Sequence, residues 1–191
     1  MYLPFLKILS AKTAYIQIWS DRIKVTDIKT GSFYDENALV SLIKDNKNEM
    51  TIIEEIGDSV LELSKGNRKI IEPFKHPRVL ISDFSAGEKV VQHAFQKIYG
   101  HSFLSPTPIA IIQPMEKLEG GLTLIEDKAL RELAIGAGAH KVFIHTGSTL
   151  SSHEAINLVK QKKIKKEEAG FLNLIVYIIV LGLIFLYFIK Q

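Results

Sequence analysis

The chain has 191 residues and no cysteine. That excludes a disulfide framework, a thiol nucleophile and any cysteine-based metal or iron–sulfur site. It has one tryptophan, three methionines and six prolines. It shows no internal repeat, no low-complexity tract and no long linker, so a solenoid or a string of domains is not expected. Glycine-rich phosphate motifs are scarce. The one candidate, "GAGAH" at 136–140, closes a helical pattern rather than opening one, the wrong end for anion binding. The serine and histidine of "GSTLSSHE" are not set in a G-x-S-x-G elbow and have no placed acid. His140, His145 and His153 lie close in sequence but lack a matched carboxylate, so they read as surface or capping histidines, with no metal site. No catalytic residue, cofactor or metal is expected.

Charge is also scarce where the chain is most apolar. "FLNLIVYIIVLGLIFLYFI", residues 171–189, contains no charged residue. As a helix it would be roughly 28 Å long, close to the hydrocarbon thickness of a bilayer. Its apolar side chains favour insertion by about 5 to 9 kcal/mol. The preceding "KQKKIKK" carries Lys160, Lys162, Lys163, Lys165 and Lys166, a basic run suited to anionic lipid at about 1 kcal/mol per lysine. The positive-inside rule then puts the N-terminal part in the cytoplasm. A tail-anchored, single-pass protein is expected, with residues 1–158 as a cytoplasmic domain, 159–170 as a basic juxtamembrane helix and 171–190 as a transmembrane helix. Residues 160–191 hold six lysines and two glutamates, which leaves the other 159 residues at net −1. The basic pI of 8.9 therefore reflects the stem, and no nucleic-acid partner is expected. The apolar start, "MYLPFLKILS", lacks a charged n-region and contains Lys7, so it does not read as a signal peptide.

Periodicity supplies the elements. Ile16, Ile18, Ile23 and Val25 alternate as two strands around a tight turn. "NALVSLI", 37–43, reads as a third run. "SAGEKVVQHAFQKIYG" puts Val90, Val91, Ala94, Phe95 and Ile98 on one helical face, with Ser85 and Glu88 as a capping box and Gly100 as the stop. "PIAIIQP" is a buried strand between prolines. "TLIEDKALRELAIGAGA" is a second amphipathic helix with Ile125, Ala129, Leu130 and Leu133 inward. "KVFIH" is a further strand. "SSHEAINLVKQKKIKK" is a third helix, capped by Ser151 and Glu154. Strands first, then strand–helix alternation, give an α/β layout with a mixed sheet.

Residues 74–144 have a recognisable order of motifs. They follow P-[ML]-K-x-G-V-I-A-D-F, E-K-M-L-x-x-F-I, P-x-x-x-V-x-x-P, E-R-R-A-[IL]-x-E and G-A-x-x-[VA]-x-L-I. The chain supplies Pro73, Lys75, Val79, Asp83, Phe84; Glu88, Lys89, Phe95; Pro106, Pro108, Pro114; Glu126, Ala129, Arg131, Glu132; and Gly136 to Ala139, Val142 and Phe143. This resembles the MreB family of bacterial actin homologues over roughly residues 12–158. The resemblance implies an actin-like, RNase H-like mixed-sheet subdomain corresponding to the family's domain I, joined here to the transmembrane helix.

It also implies a lost nucleotide site. Where the family's first hairpin reads D-L-G-T-A-N-T, this chain has Gln17, Ile18, Trp19, Ser20, Asp21, Arg22 and Ile23. The acid has become an amide, and a tryptophan stands where glycine lets the backbone close on phosphate. The domain II motif D-I-G-G-G-T is absent. Glu126 matches a family glutamate and, with no phosphate to act on, is expected to be an inactive helix-start residue. Trp19, Arg22 and Tyr34 are candidates for a partner surface, the alternative being that Trp19 fills space a nucleotide would take. The expected function is that of a non-catalytic adaptor or scaffold at the bacterial inner membrane, serving a cytoskeletal or cell-envelope assembly in cell shape. Protein partners and a homo-oligomer are both expected. The alternatives are a structural subunit of an inner-membrane secretion or pilus platform, and a residual ATP-binding protein.

Overall fold

A computed structural model describes residues 12–44, 51–63, 66–100, 107–162 and Tyr177. The chain divides into two compact units, Met1–Thr149 and Leu150–Gln191. In the first unit, β1 (Thr13–Ile18) and β2 (Arg22–Asp27) form the hairpin expected from period two, and β3 (Phe33–Asn37) continues the meander. The chain then enters a smaller sheet with β4 (Val40–Lys44), β5 (Thr51–Ile56), a short helix α1 (Ser59–Glu62) and β6 (Arg68–Ile71). After the helix α2 (Phe84–Tyr99) it returns to the first sheet with β7 (Ile109–Pro114), parallel to β1. Helix α3 (Leu124–Gly136) and β8 (Lys141–Ile144), parallel to β7, complete the unit. The large mixed sheet has the order β3-β2-β1-β7-β8, and the small one β5-β4-β6. The segment 37–43 is not one strand. It spans the junction of β3 and β4, where Leu39 N–H bonds Asn37 O at 3.0 Å and the chain changes sheet.

One face of the large sheet carries the core. Ala14, Ile16, Ile18, Ile23, Val25, Ala110, Ile112 and Val142 are buried there with Val90, Val91 and Ala94 of α2 and Leu130, Leu133 and Ala134 of α3. The α2 pattern is as read, and Gly100 ends it with φ +74°. Its start differs. Asp83, not Ser85, is the N-cap, and its carboxylate accepts from Ala86 N–H at 3.0 Å. An ionised acid at this place also meets the positive end of the helix dipole. Gly87 lets α2 approach its neighbours closely, because a Cβ there would lie 3.1 Å from Phe74 and 3.2 Å from Leu133.

In α3 the inward set is corrected. Leu130 and Leu133 are buried, but Ile125 is 81% exposed and Leu124 is 90% exposed. At about 100° per residue Ile125 sits roughly 180° from Ala134. It lies on the side away from the sheet.

The smaller sheet is tied by one polar group. β5 bulges opposite Ser41 and Leu42, and the extra residue, Glu54, accepts two bonds of 2.8 Å from Arg68 and one of 2.9 Å from the buried Ser41 hydroxyl. Arg68 on β6 and Glu54 on β5 thus meet across the central strand β4.

The second unit is described at 150–162 and Tyr177. Residues 152–162 are helical (α4) and bury Ala155 and Val159, one turn apart. Glu154 N–H donates to Ser151 Oγ at 3.3 Å and Ser151 N–H to Glu154 Oε2 at 2.7 Å, the capping box read from sequence. Among the described residues no helix is long and apolar enough to cross a membrane. The span expected at 171–190 lies outside them apart from Tyr177, as do Lys163, Lys165 and Lys166.

Candidate functional site

The β1–β2 turn sits at the end of the central strand, where the parallel partner β7 also ends. Ile18 pairs with Ile23 and, on the other side, with Pro114. The turn is closed by Trp19 N–H on Arg22 O at 2.9 Å. Two neighbouring loops hold it. Met115 N–H donates to Ile18 O at 2.9 Å, and Ala38 N–H to Asp21 O at 2.8 Å.

The decisive contact is at Ser20. Its backbone N–H donates to the Glu116 carboxylate at 2.9 Å. That amide is bound to an anion belonging to the chain itself. The loop after β7 fixes that anion. Lys117, next to Glu116, takes a positive φ of 58° and anchors its ammonium on Phe74 O at 3.0 Å and Val79 O at 3.1 Å. A phosphate at Ser20 would have to displace Glu116 or share its space against like-charge repulsion.

The side chains around the turn are similarly committed. Trp19 is half-buried, and the Arg22 guanidinium lies 5.8 Å from its ring centre. Arg22 also pairs with Asp35 at 2.6 Å, and Lys24 approaches the same carboxylate at 3.5 Å. Hydrogen bonding from Arg22 holds the Asp35 carboxyl below its usual range. Gln17 is buried, with its amide 3.7 Å from Met115 Sδ. A neutral amide tolerates that place better than the carboxylate expected of a metal-handling acid. Nearby, the Tyr15 hydroxyl bonds Gln113, whose amide donates to Gly147 O at 2.7 Å. Sequence reasoning misses this buried chain. Its signal is two glutamines in otherwise apolar strands, Gln17 and Gln113, paired in register.

The other candidates fall elsewhere. Tyr34 is corrected from the surface to the core: it is 5% exposed, stacks edge-on against His93 with ring centres 5.7 Å apart, and donates to Glu36 at 3.1 Å. Burial pushes its phenol well above the usual range. Asp21 is exposed on the turn. Glu126 is the N3 partner of a capping box. It accepts from Thr123 N–H at 2.9 Å, and its own N–H donates to Thr123 Oγ1 at 3.2 Å. His140 bonds Thr107 O and His145 bonds Ser148 O, at 2.8 and 2.7 Å. Among the described residues no cluster of three metal-ligating side chains exists. Lys160 and Lys162 lie near the end of α4, half-buried and exposed.

The architecture has known counterparts. A non-polymerising mutant of MamK bound to AMPPNP superposes on 70% of this chain and 41% of its own, at 14% identity and a TM-score of 0.53. MreB5 of Spiroplasma citri bound to ADP covers 70% and 38%, at 20% identity and 0.50. The fold is therefore a mixed α/β actin-like one. No family model matches. In sequence the chain is 30% identical to the cell shape-determining protein MreB of Escherichia coli K12 over 118 residues, 60% of this chain and 32% of that protein. The Haemophilus influenzae MreB gives 29% over 119 residues. The chain thus spans about a third of the length of these relatives. It is also 34% identical to the uncharacterized protein YjaA of E. coli K12 over 98 residues, covering 77% of that protein.

The chain belongs to the YjaA family.

The chain is thus homologous to MreB over 118 residues, and its fold is actin-like.

Proposed function

We propose that this YjaA-family chain is a non-catalytic adaptor or scaffold, tail-anchored in the bacterial inner membrane, for a cytoskeletal or cell-envelope assembly that acts in cell shape. The observation that carries the non-catalytic part is the Glu116 carboxylate on the Ser20 amide. The Ser20 amide is engaged by the chain's own carboxylate, and the bulky Trp19 sits half-buried beside it. Homology to a cell shape-determining protein supports the process. The lysines from 160 to 166 and the uncharged run 171–189 support the membrane, with the first 158 residues on the cytoplasmic side.

The test is in-cell photocrosslinking of the full chain, extraction in mild detergent and identification of what is captured. Recovery of an actin-like filament protein or an envelope-assembly protein is the expected result. Capture of neither overturns the adaptor reading. Recovery in a fixed stoichiometry with inner-membrane secretion or pilus subunits would replace it with the structural-subunit reading.

A further inference from the structure

The connection from β6 to α2 carries a run of exposed residues, Lys75, His76, Pro77, Arg78 and Val79, between two buried apolar anchors, Phe74 and Leu80. A run so exposed has little packing to fix it. Side-chain bonds to its backbone fix it instead. His76 Nδ1 accepts from Arg78 N–H at 3.1 Å and from Val79 N–H at 3.2 Å. That is the place an asparagine or aspartate oxygen takes in an Asx turn. Pro77, between them, has no N–H to offer and a fixed φ, so the next two amides are the ones the ring collects.

Lys117, from the loop after β7, holds the same run by its carbonyls. Its ammonium donates to Phe74 O at 3.0 Å and to Val79 O at 3.1 Å. Val79 is therefore gripped twice, at N–H by His76 and at C=O by Lys117. Lys117 follows Glu116, whose carboxylate holds the Ser20 amide. The 74–79 loop and the β1–β2 turn thus share one brace, residues 116 and 117.

The two grips differ in chemistry. An ammonium has donors only, whereas an imidazole nitrogen accepts only while it carries no proton. Once Nδ1 is protonated both ring nitrogens donate, and the Arg78 and Val79 amides lose their acceptor. The closed loop therefore binds fewer protons at this ring than the open loop, and a fall in pH favours opening. Histidine is the side chain that changes charge between about pH 5 and 8. The charged groups around the ring act in the same direction. Lys75 and Arg78 in the same run and Lys117 are cations. The acids are Glu72, already paired with Lys75 at 2.7 Å, and Asp21 of the β1–β2 turn, which acts on Lys75.

We propose that His76 is a pH-sensitive clasp: neutral, it closes the 74–79 loop; protonated, it releases the loop and, through Lys117 and Glu116, slackens the β1–β2 turn. Acidification then changes the surface this chain presents. The inference goes beyond the adaptor reading and does not depend on which partner is bound.

The experiment uses the full chain in mild detergent at pH 8 and pH 5.5. It reads the hydrogen-exchange protection of residues 74–79, corrected for the intrinsic pH dependence of exchange, and the emission of Trp19. In the native chain protection of the Arg78 and Val79 amides is expected to fall about tenfold on acidification, with a red shift of the emission. His76→Asn supplies an acceptor that does not titrate, so protection and emission should hold at both pH values. His76→Ala supplies none, so protection should be low at both. His76 is exposed, and circular dichroism checks that both variants keep the fold. Equal native protection at the two pH values, a fall in His76→Asn as large as in the native chain, or full protection in His76→Ala would overturn the clasp. A loop that opens with the emission unmoved would overturn its transmission to the turn.

Discussion

At Ser20 one hydrogen bond ties the β1–β2 turn to the loop after β7. A backbone N–H on a partly buried carboxylate is satisfied and charge-assisted, a bond worth about 1.5–3 kcal/mol in typical settings. Replacing Glu116 by alanine frees that N–H and removes a strap from the turn. The expected cost is about 1–2 kcal/mol of stability, together with a red shift of the emission of Trp19, the only tryptophan in the chain. An unchanged emission maximum and an unchanged denaturation midpoint would show that Glu116 does not hold the turn. His93 gives a second residue-scale prediction. Burial is the main cause that lowers its pKa from 6.5; Lys97 adds to it, while Glu36 and Glu55 oppose it. The folded state thus favours neutral imidazole. Below about pH 6.5 the unfolded chain takes up the proton first, so stability present above that pH is lost as pH falls toward the folded pKa. Denaturant midpoints from about pH 7.5 to 5.5 should decline, and His93→Phe should flatten the decline. The same slope in the variant would assign it to other groups.

Among the elements, the β1–β2 hairpin, α2, β7 and β8 are legible in the sequence because each carries a strong period and flanking stop signals. Asp83 is hidden as the cap of α2 because Ser85 and Glu88 satisfy the same capping rule two residues later, and sequence alone does not rank two valid caps. Ile125 reads as inward because it lies only about 80° from Leu133 on the helix. An apolar residue on the edge of the buried arc looks like core in the sequence, and only the packing shows that Ile125 lies outside it. Tyr34 reads as a surface aromatic as a neighbour of the turn tryptophan, yet on β3 it shares a face with Glu36 and its ring is buried edge-on to His93. The Glu116 contact is invisible in sequence, since it joins residues 96 apart. The packing of α2 is tight at Gly87. Gly87→Val would force α2 away from Phe74 and Leu133, with an expected loss of about 1–3 kcal/mol from overpacking. A thermal midpoint unchanged by that substitution would show that the interface yields freely. Gly57 is constrained too: its φ is +84°, and a Cβ there would collide with Glu36 and Tyr34.

For the molecule as a whole, the proposal joins an actin-like domain to a membrane stem. The stem is testable by extraction. The full chain should stay with membranes through high salt and alkaline carbonate, whereas a chain ended after Lys162 should be released by buffer alone. A full chain released by salt alone would remove the anchor and leave only the lysines as a peripheral contact. At this scale the sequence and the structure divide the work. The sheet order, the helix pair and the satisfied turn belong to the described fold. The membrane and the assembly rest on the uncharged run, the basic stem and the homology to MreB.

The account depends most on the absence of a nucleotide grip at the β1–β2 turn. Isothermal titration of the full chain with ATP and magnesium tests that directly. No binding heat up to millimolar nucleotide, in the native chain and in a Trp19→Gly variant alike, is the predicted result. Saturable micromolar binding by the native chain would contradict it.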